Sequence, residues 1–114
     1  MQGDFQVEVR REGDAELITI RGELDLASGP ELQAALERVS PDDTRVVVLD
    51  LRELEFMDST GLSIIVRAHQ RLAGTGCELG LVRGSTQVQR LLDLTGVAER
   101  LRLATVPEEL FKRG

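Results

Sequence analysis

The sequence predicts an α/β fold, one domain over residues 1–114. The expected architecture is a mixed sheet of about five strands, an N-terminal hairpin followed by β-α units, flanked by about four helices. Three observations predict it. Apolar residues recur with period 2 in some segments and at i, i+3, i+4, i+7 in others, and the two patterns alternate along the chain. The run "RVVVLDL" (45–51) holds four consecutive aliphatics, as a strand covered on both faces requires. The first two strand-like segments are separated only by "REGD" (11–14), which makes them a hairpin. Alternating strands and helices imply right-handed crossovers and a largely parallel sheet, which the hairpin renders mixed.

Taken in order, "FQVEV" (5–9) alternates as a half-buried strand and "AELITIRG" (15–22) returns beside it. "SGPE" (28–31) then reads as a helix start, with Ser28 as N-cap, Pro30 in the first turn and Glu31 completing a capping box. Leu32, Ala35, Leu36 and Val39 form one buried stripe. "SPDDT" (40–44) is a loop and leads into the central strand. Beyond "FMDSTG" (56–61), the residues Leu62, Ile65, Val66, His69, Leu72 and Ala73 hold helical spacing, and Gly74 and Gly76 stop that helix. "CELGLV" (77–82) is a strand. Ser85 opens a helix carrying Val88, Leu91 and Leu92, which Gly96 ends. "LRLA" (101–104) is a short strand, and a terminal helix follows, with Thr105 as cap and Glu108 as its capping-box partner.

Composition bounds the function. With three Phe and neither Tyr nor Trp, the core must be aliphatic and no stacking platform for single-stranded nucleic acid exists. Twenty acidic residues against 14 basic give a formal charge of −6. That balance disfavours nucleic-acid phosphates and anionic membranes and suits a partner with a basic face, although mild acidity also serves solubility alone. Cys77 is the only cysteine, so neither an internal disulfide nor a cysteine metal site is expected. The first 14 residues show no basic flank followed by an apolar block, and no apolar run approaches a membrane span. A cytoplasmic protein without cofactors is expected.

In such sheets, sites form in loops at the carboxyl ends of strands. Two loops qualify, "GELDLAS" (22–28) and "FMDSTG" (56–61), both acidic and both feeding helix N-termini. A Ser-His hydrolase is excluded. His69, the only histidine, lies ten residues beyond Ser59 on one helix, about 15 Å along its axis. Asp50 ends a buried strand, the position of an aspartyl-phosphate acceptor, but the chain lacks the paired acids near its start and the interior lysine such a site needs. Neither "GxxxxGK[ST]" nor "GxGxxG" occurs. Ser59 remains. "DST" caps a helix on one reading. On the other, Ser59 is a hydroxyl presented to another protein's kinase at a helix N-terminus, whose dipole tolerates added negative charge. Spacing alone does not choose between them.

"IRGELDLASGPELQAAL" (20–36), "LRELEFMDSTGLSIIV" (51–66) and "RLLDLTGV" (90–97), in this order, resemble the STAS family and, within it, the bacterial anti-sigma factor antagonists. The resemblance implies transcription control by partner switching. An unphosphorylated antagonist binds an anti-sigma factor that is also a serine kinase, frees the sigma factor, and is released when the kinase phosphorylates it; a serine phosphatase reverses the step. The resemblance places the acceptor at Ser59, with Asp58, Thr60, Gly61, Leu62 and Ser63 around it, and acidic partner contacts at Glu23 and Asp25. Ser63 departs from the small glycine that many antagonists carry there. The chain is then substrate and ligand, not enzyme, and ATP and magnesium belong to the partner. The alternative is a non-catalytic STAS scaffold in a stress-signalling or transporter-associated complex, which phosphorylation by a cognate kinase would distinguish.

Overall fold

The computed structural model describes residues 5–111. The hairpin is present as β1 (Gln6–Glu12) and β2 (Ala15–Leu24), antiparallel and turned at Gly13, whose φ of 61° suits a residue without a side chain. The chain continues through α1 (Gly29–Glu37), β3 (Val46–Asp50), β4 (Leu54–Met57), α2 (Ser59–Leu72), β5 (Glu78–Val82) and α3 (Thr86–Thr95). A 3-10 turn (Val97–Glu99), β6 (Arg102–Ala104) and α4 (Glu108–Phe111) complete it. The strand order is β1-β2-β3-β5-β6, parallel from β2 onward. The mixed α/β sheet expected from the sequence is therefore the one observed.

Alternation along the strands divides the core. Ile18, Ile20, Val47, Leu49, Leu79 and Leu81 face the cluster beneath α1, α2 and α3. Ala15, Leu17, Val46, Val48 and Val82 face a smaller cluster closed by Leu110 of α4. Three successive crossovers run in one direction across the sheet, which puts their helices on one face. Gly80 makes room for α4, since a Cβ there would lie 3.0 Å from Leu110. The largest fully buried side chains are Ile, Leu and Met throughout, so the core is aliphatic as composition requires.

Four local readings are corrected. Residues 54–57, of which 56 and 57 fall in the expected loop and 54 and 55 in no expected element, form β4, a sixth strand. It occupies the place beside β2 that β3 vacates, pairing in parallel with Gly22–Leu24. Ser28 is the N-cap of α1, but its side chain makes no cap hydrogen bond and no capping box forms, because its hydroxyl is engaged by the preceding turn. Val39 is buried but lies past the end of α1. At α4 the partner of Thr105 is Glu109, not Glu108: its carboxylate accepts from the Thr105 N–H at 2.8 Å and from the hydroxyl at 3.2 Å. The Thr105 backbone bond, ahead of the hydroxyl one, holds the Glu109 carboxyl below its ordinary pKa.

Candidate functional site

The two loops singled out by sequence meet at one end of the sheet. β2 and β4 finish side by side, with Glu23 paired to Phe56 and Leu24 to Met57. The Asp58 N–H donates to Leu24 O at 3.2 Å. Residue 58 is thus fixed against the "GELD" strand end before α2 begins.

Asp58 is the N-cap of α2, in extended conformation (φ −105°, ψ −172°). Its Oδ1 accepts from the Thr60 N–H at 2.9 Å and the Gly61 N–H at 3.2 Å, satisfying two of the donors that a helix start leaves free. Ser59 begins the helix as expected, but the capping falls to Asp58. Ser59 is exposed, and neither its hydroxyl nor its N–H has a hydrogen-bond partner among the described residues. Thr60 is half-buried against Gly29 at the start of α1, Leu62 is buried, and Ser63 is exposed one turn along.

Gly61 sets how closely α2 approaches the strands. A Cβ there would lie 2.6 Å from Leu24 Cγ and 2.9 Å from Met57 Cγ, inside the contact distance of carbon atoms. Only a glycine allows this helix start to rest on the ends of β2 and β4.

The two acids of the "GELD" segment differ. Glu23 is exposed in β2, and its carboxylate has no partner among the described residues. Asp25 is half-buried and engaged. Its Oδ1 accepts from the Ala27 N–H (3.0 Å), the Ser28 N–H (3.1 Å) and the Ser28 hydroxyl (3.1 Å), while its backbone oxygen accepts from Gly29 N–H at 2.8 Å. This is the turn that an Asp forms with the backbone ahead of it. Asp25 shapes the loop and launches α1, and Leu26 at its tip is 76% exposed.

One residue escaped sequence reasoning. The side-chain amide of Gln87, in the first turn of α3, accepts from Met57 N–H and donates to Met57 O, both at 3.1 Å. It closes the open edge of β4 immediately before Asp58. Nothing in the local sequence marks Gln87, because its partner strand was itself read as loop.

The remaining candidates lie elsewhere. Asp50 is buried at the end of β3 and spent on Arg52, which binds it through Nε (3.0 Å) and Nη2 (2.8 Å). That hydrogen bond raises the Arg52 pKa against the opposing effect of burial. His69 is half-buried toward the far end of α2. Among the described residues, no helix is long and apolar enough to cross a membrane, and no cluster of three potential metal ligands occurs.

Comparison with known proteins agrees with this arrangement. The STAS domain family model matches residues 6–110. The anti-sigma-B factor antagonist of Listeria monocytogenes is 32% identical over 108 residues, 94% of this chain and 95% of that protein. An anti-sigma factor antagonist from Mycobacterium paratuberculosis has the same fold, with a TM-score of 0.81 at 24% identity over 93% of this chain and 90% of that one. The phosphorylated form of the Bacillus cell fate determinant SpoIIAA superposes with a TM-score of 0.71 at 20% identity over 95% and 96% of the two chains. With the model match spanning nearly the whole described chain, and with a relative of this identity over nearly its full length, the chain belongs to the STAS domain family.

Proposed function

We propose that this protein is an anti-sigma factor antagonist that works by partner switching in the cytoplasm. Its unmodified form binds an anti-sigma factor with serine kinase activity, so that the sigma factor is freed; phosphorylation of Ser59 ends the complex, and a serine phosphatase restores the binding form. The observation that carries the reading is the state of Ser59. It is an exposed hydroxyl with no hydrogen-bond partner among the described residues, at the head of a helix whose cap is supplied by its neighbour Asp58. The names of the relatives support the same reading, and SpoIIAA, a structural relative, exists in a phosphorylated form.

In this scheme the Ser59 hydroxyl attacks the γ-phosphorus of ATP held by the partner. An O–P bond forms, the bond to ADP breaks, and the hydroxyl proton passes to a base of the kinase. The chain contributes the acceptor and its placement and performs no catalysis. Asp58, Thr60, Gly61 and Leu62 hold the acceptor in position, while Glu23 and Ser63, both exposed, are contacts for the partner. Asp25 contributes through the turn it builds. Incubation with the cognate kinase and labelled ATP tests this: the label enters the wild type and not Ser59→Ala. Label retained in Ser59→Ala assigns the acceptor elsewhere.

A further inference from the structure

A groove of about 740 Å³ runs between α2 and the segment that follows α3. Along α2 it extends from Leu62 to Ala73, about 16 Å of helix at 1.5 Å per residue. Its apolar walls are Leu62, Val66, Val97 and Leu101, and its polar groups are basic or neutral: Arg67, Arg100 and His69 line it, and no Asp or Glu among the described residues does. This is unexpected in a chain of net charge −6. Arg67 and Arg100 are exposed, and neither guanidinium makes a hydrogen bond or ion pair among the described residues.

We infer that this groove binds an organic amphiphilic anion, its apolar body against Val66, Val97 and Leu101 and its carboxylate between Arg67 and Arg100. Unpaired guanidinium groups are suited to bidentate carboxylate contacts, and the volume of the groove lies within the roughly 300–1,000 Å³ of small-molecule sites. A footprint of about 16 by 10 Å, one helix width, is far below the roughly 800 Å² per partner of a standard protein interface. The groove opens at Leu62 and Ser63, one turn after Ser59, so its occupant touches the helix that the acceptor begins. The inference does not rest on phosphorylation of Ser59.

The test is an amide-detected NMR titration of the full chain with decanoate, in which neither kinase nor phosphate takes part. Acetate supplies the anion without the chain, and 1-octanol an apolar chain without the anion. The double variant Arg67→Gln/Arg100→Gln is compared with Arg38→Gln/Arg90→Gln, which removes the same charge from exposed arginines outside the groove. The expected result is saturable shifts at Val66, His69, Val97 and Leu101 with decanoate. Affinity falls at least tenfold in the groove variant, stays unchanged in the control variant, and is at least tenfold lower for 1-octanol and acetate. Equal weakening in both variants, shifts centred elsewhere, or no saturation overturns it. Groove shifts produced only by an acidic amphipathic peptide, or only by raising the protein concentration, overturn it in favour of a protein segment or a second copy.

Discussion

Gln87 and Met57 form a closed pair in which one side-chain amide serves both backbone groups of an edge-strand residue, each bond 3.1 Å long. Because Met57 precedes the cap of α2, α3 thereby steadies Ser59, the proposed acceptor, two residues on. Each such bond contributes about 0.5–1.5 kcal/mol. Gln87→Ala is expected to lower the melting temperature by several degrees and to speed amide exchange at Met57 and Asp58 more than at Leu79 or Leu81. Uniform acceleration across the sheet would show a general loss of stability in place of a local clasp.

Asp25 and Glu23, similar in sequence, separate in the structure. Asp25→Ala removes the acceptor for three donors and should cost about 1 kcal/mol or more; Asp25→Asn, which keeps an acceptor oxygen, should recover most of it. Glu23→Ala should leave the melt unchanged to within about 0.5 kcal/mol and weaken partner binding, on the order of 2 kcal/mol if the carboxylate is desolvated there. Melts and titration calorimetry on the three variants check both statements.

Ser59→Ala should stay folded with almost no change in melting temperature, since the cap is Asp58. Asp58→Ala should cost about 0.5–2 kcal/mol by freeing the Thr60 and Gly61 N–H groups. Thermal melts of the two variants side by side decide which residue caps.

Gly61→Ala puts a methyl group 2.6 Å from Leu24 Cγ, so either α2 or Leu24 must move. A cost of about 1–3 kcal/mol is expected from overpacking, with slower phosphorylation at Ser59. A melt equal to wild type would show that the helix start has slack.

The fold was legible because the strongest signals were periodic and long. The aliphatic run at 45–51 and the helix stops at Gly74 and Gly96 sit where their chemistry places them. What escaped was short or reciprocal. β4 is four residues long and exists through its register with β2, which no local pattern encodes. The Ser28 capping box failed because a nearer partner, the Asp25 turn, claims the hydroxyl. Sequence brought Ser59, Asp58 and the "GELD" acids to notice together, but only their hydrogen bonds separate the acid that builds the loop from the acid left free.

Phosphate on Ser59 should leave the fold intact. At a helix N-terminus a negative group gains about 0.3–1 kcal/mol from the dipole, and the Ser59 N–H is unpaired among the described residues. The modified protein is expected to melt within a few degrees of the unmodified one. A large drop, with widespread loss of amide protection, would contradict this.

The consequence falls on the partner. Phosphoserine carries about −1.5 to −2 charge. At roughly 5 Å from one negative group on the partner, with an effective dielectric between about 20 and 80, the repulsion is on the order of 1–7 kcal/mol, and about 1.4 kcal/mol is a tenfold loss. Titration calorimetry of the proposed partner, an anti-sigma factor with kinase activity, against the unmodified and the Ser59-phosphorylated protein is the decisive measurement. Partner switching through Ser59 predicts binding at least tenfold weaker after phosphorylation, whereas equal affinity for the two forms would contradict it.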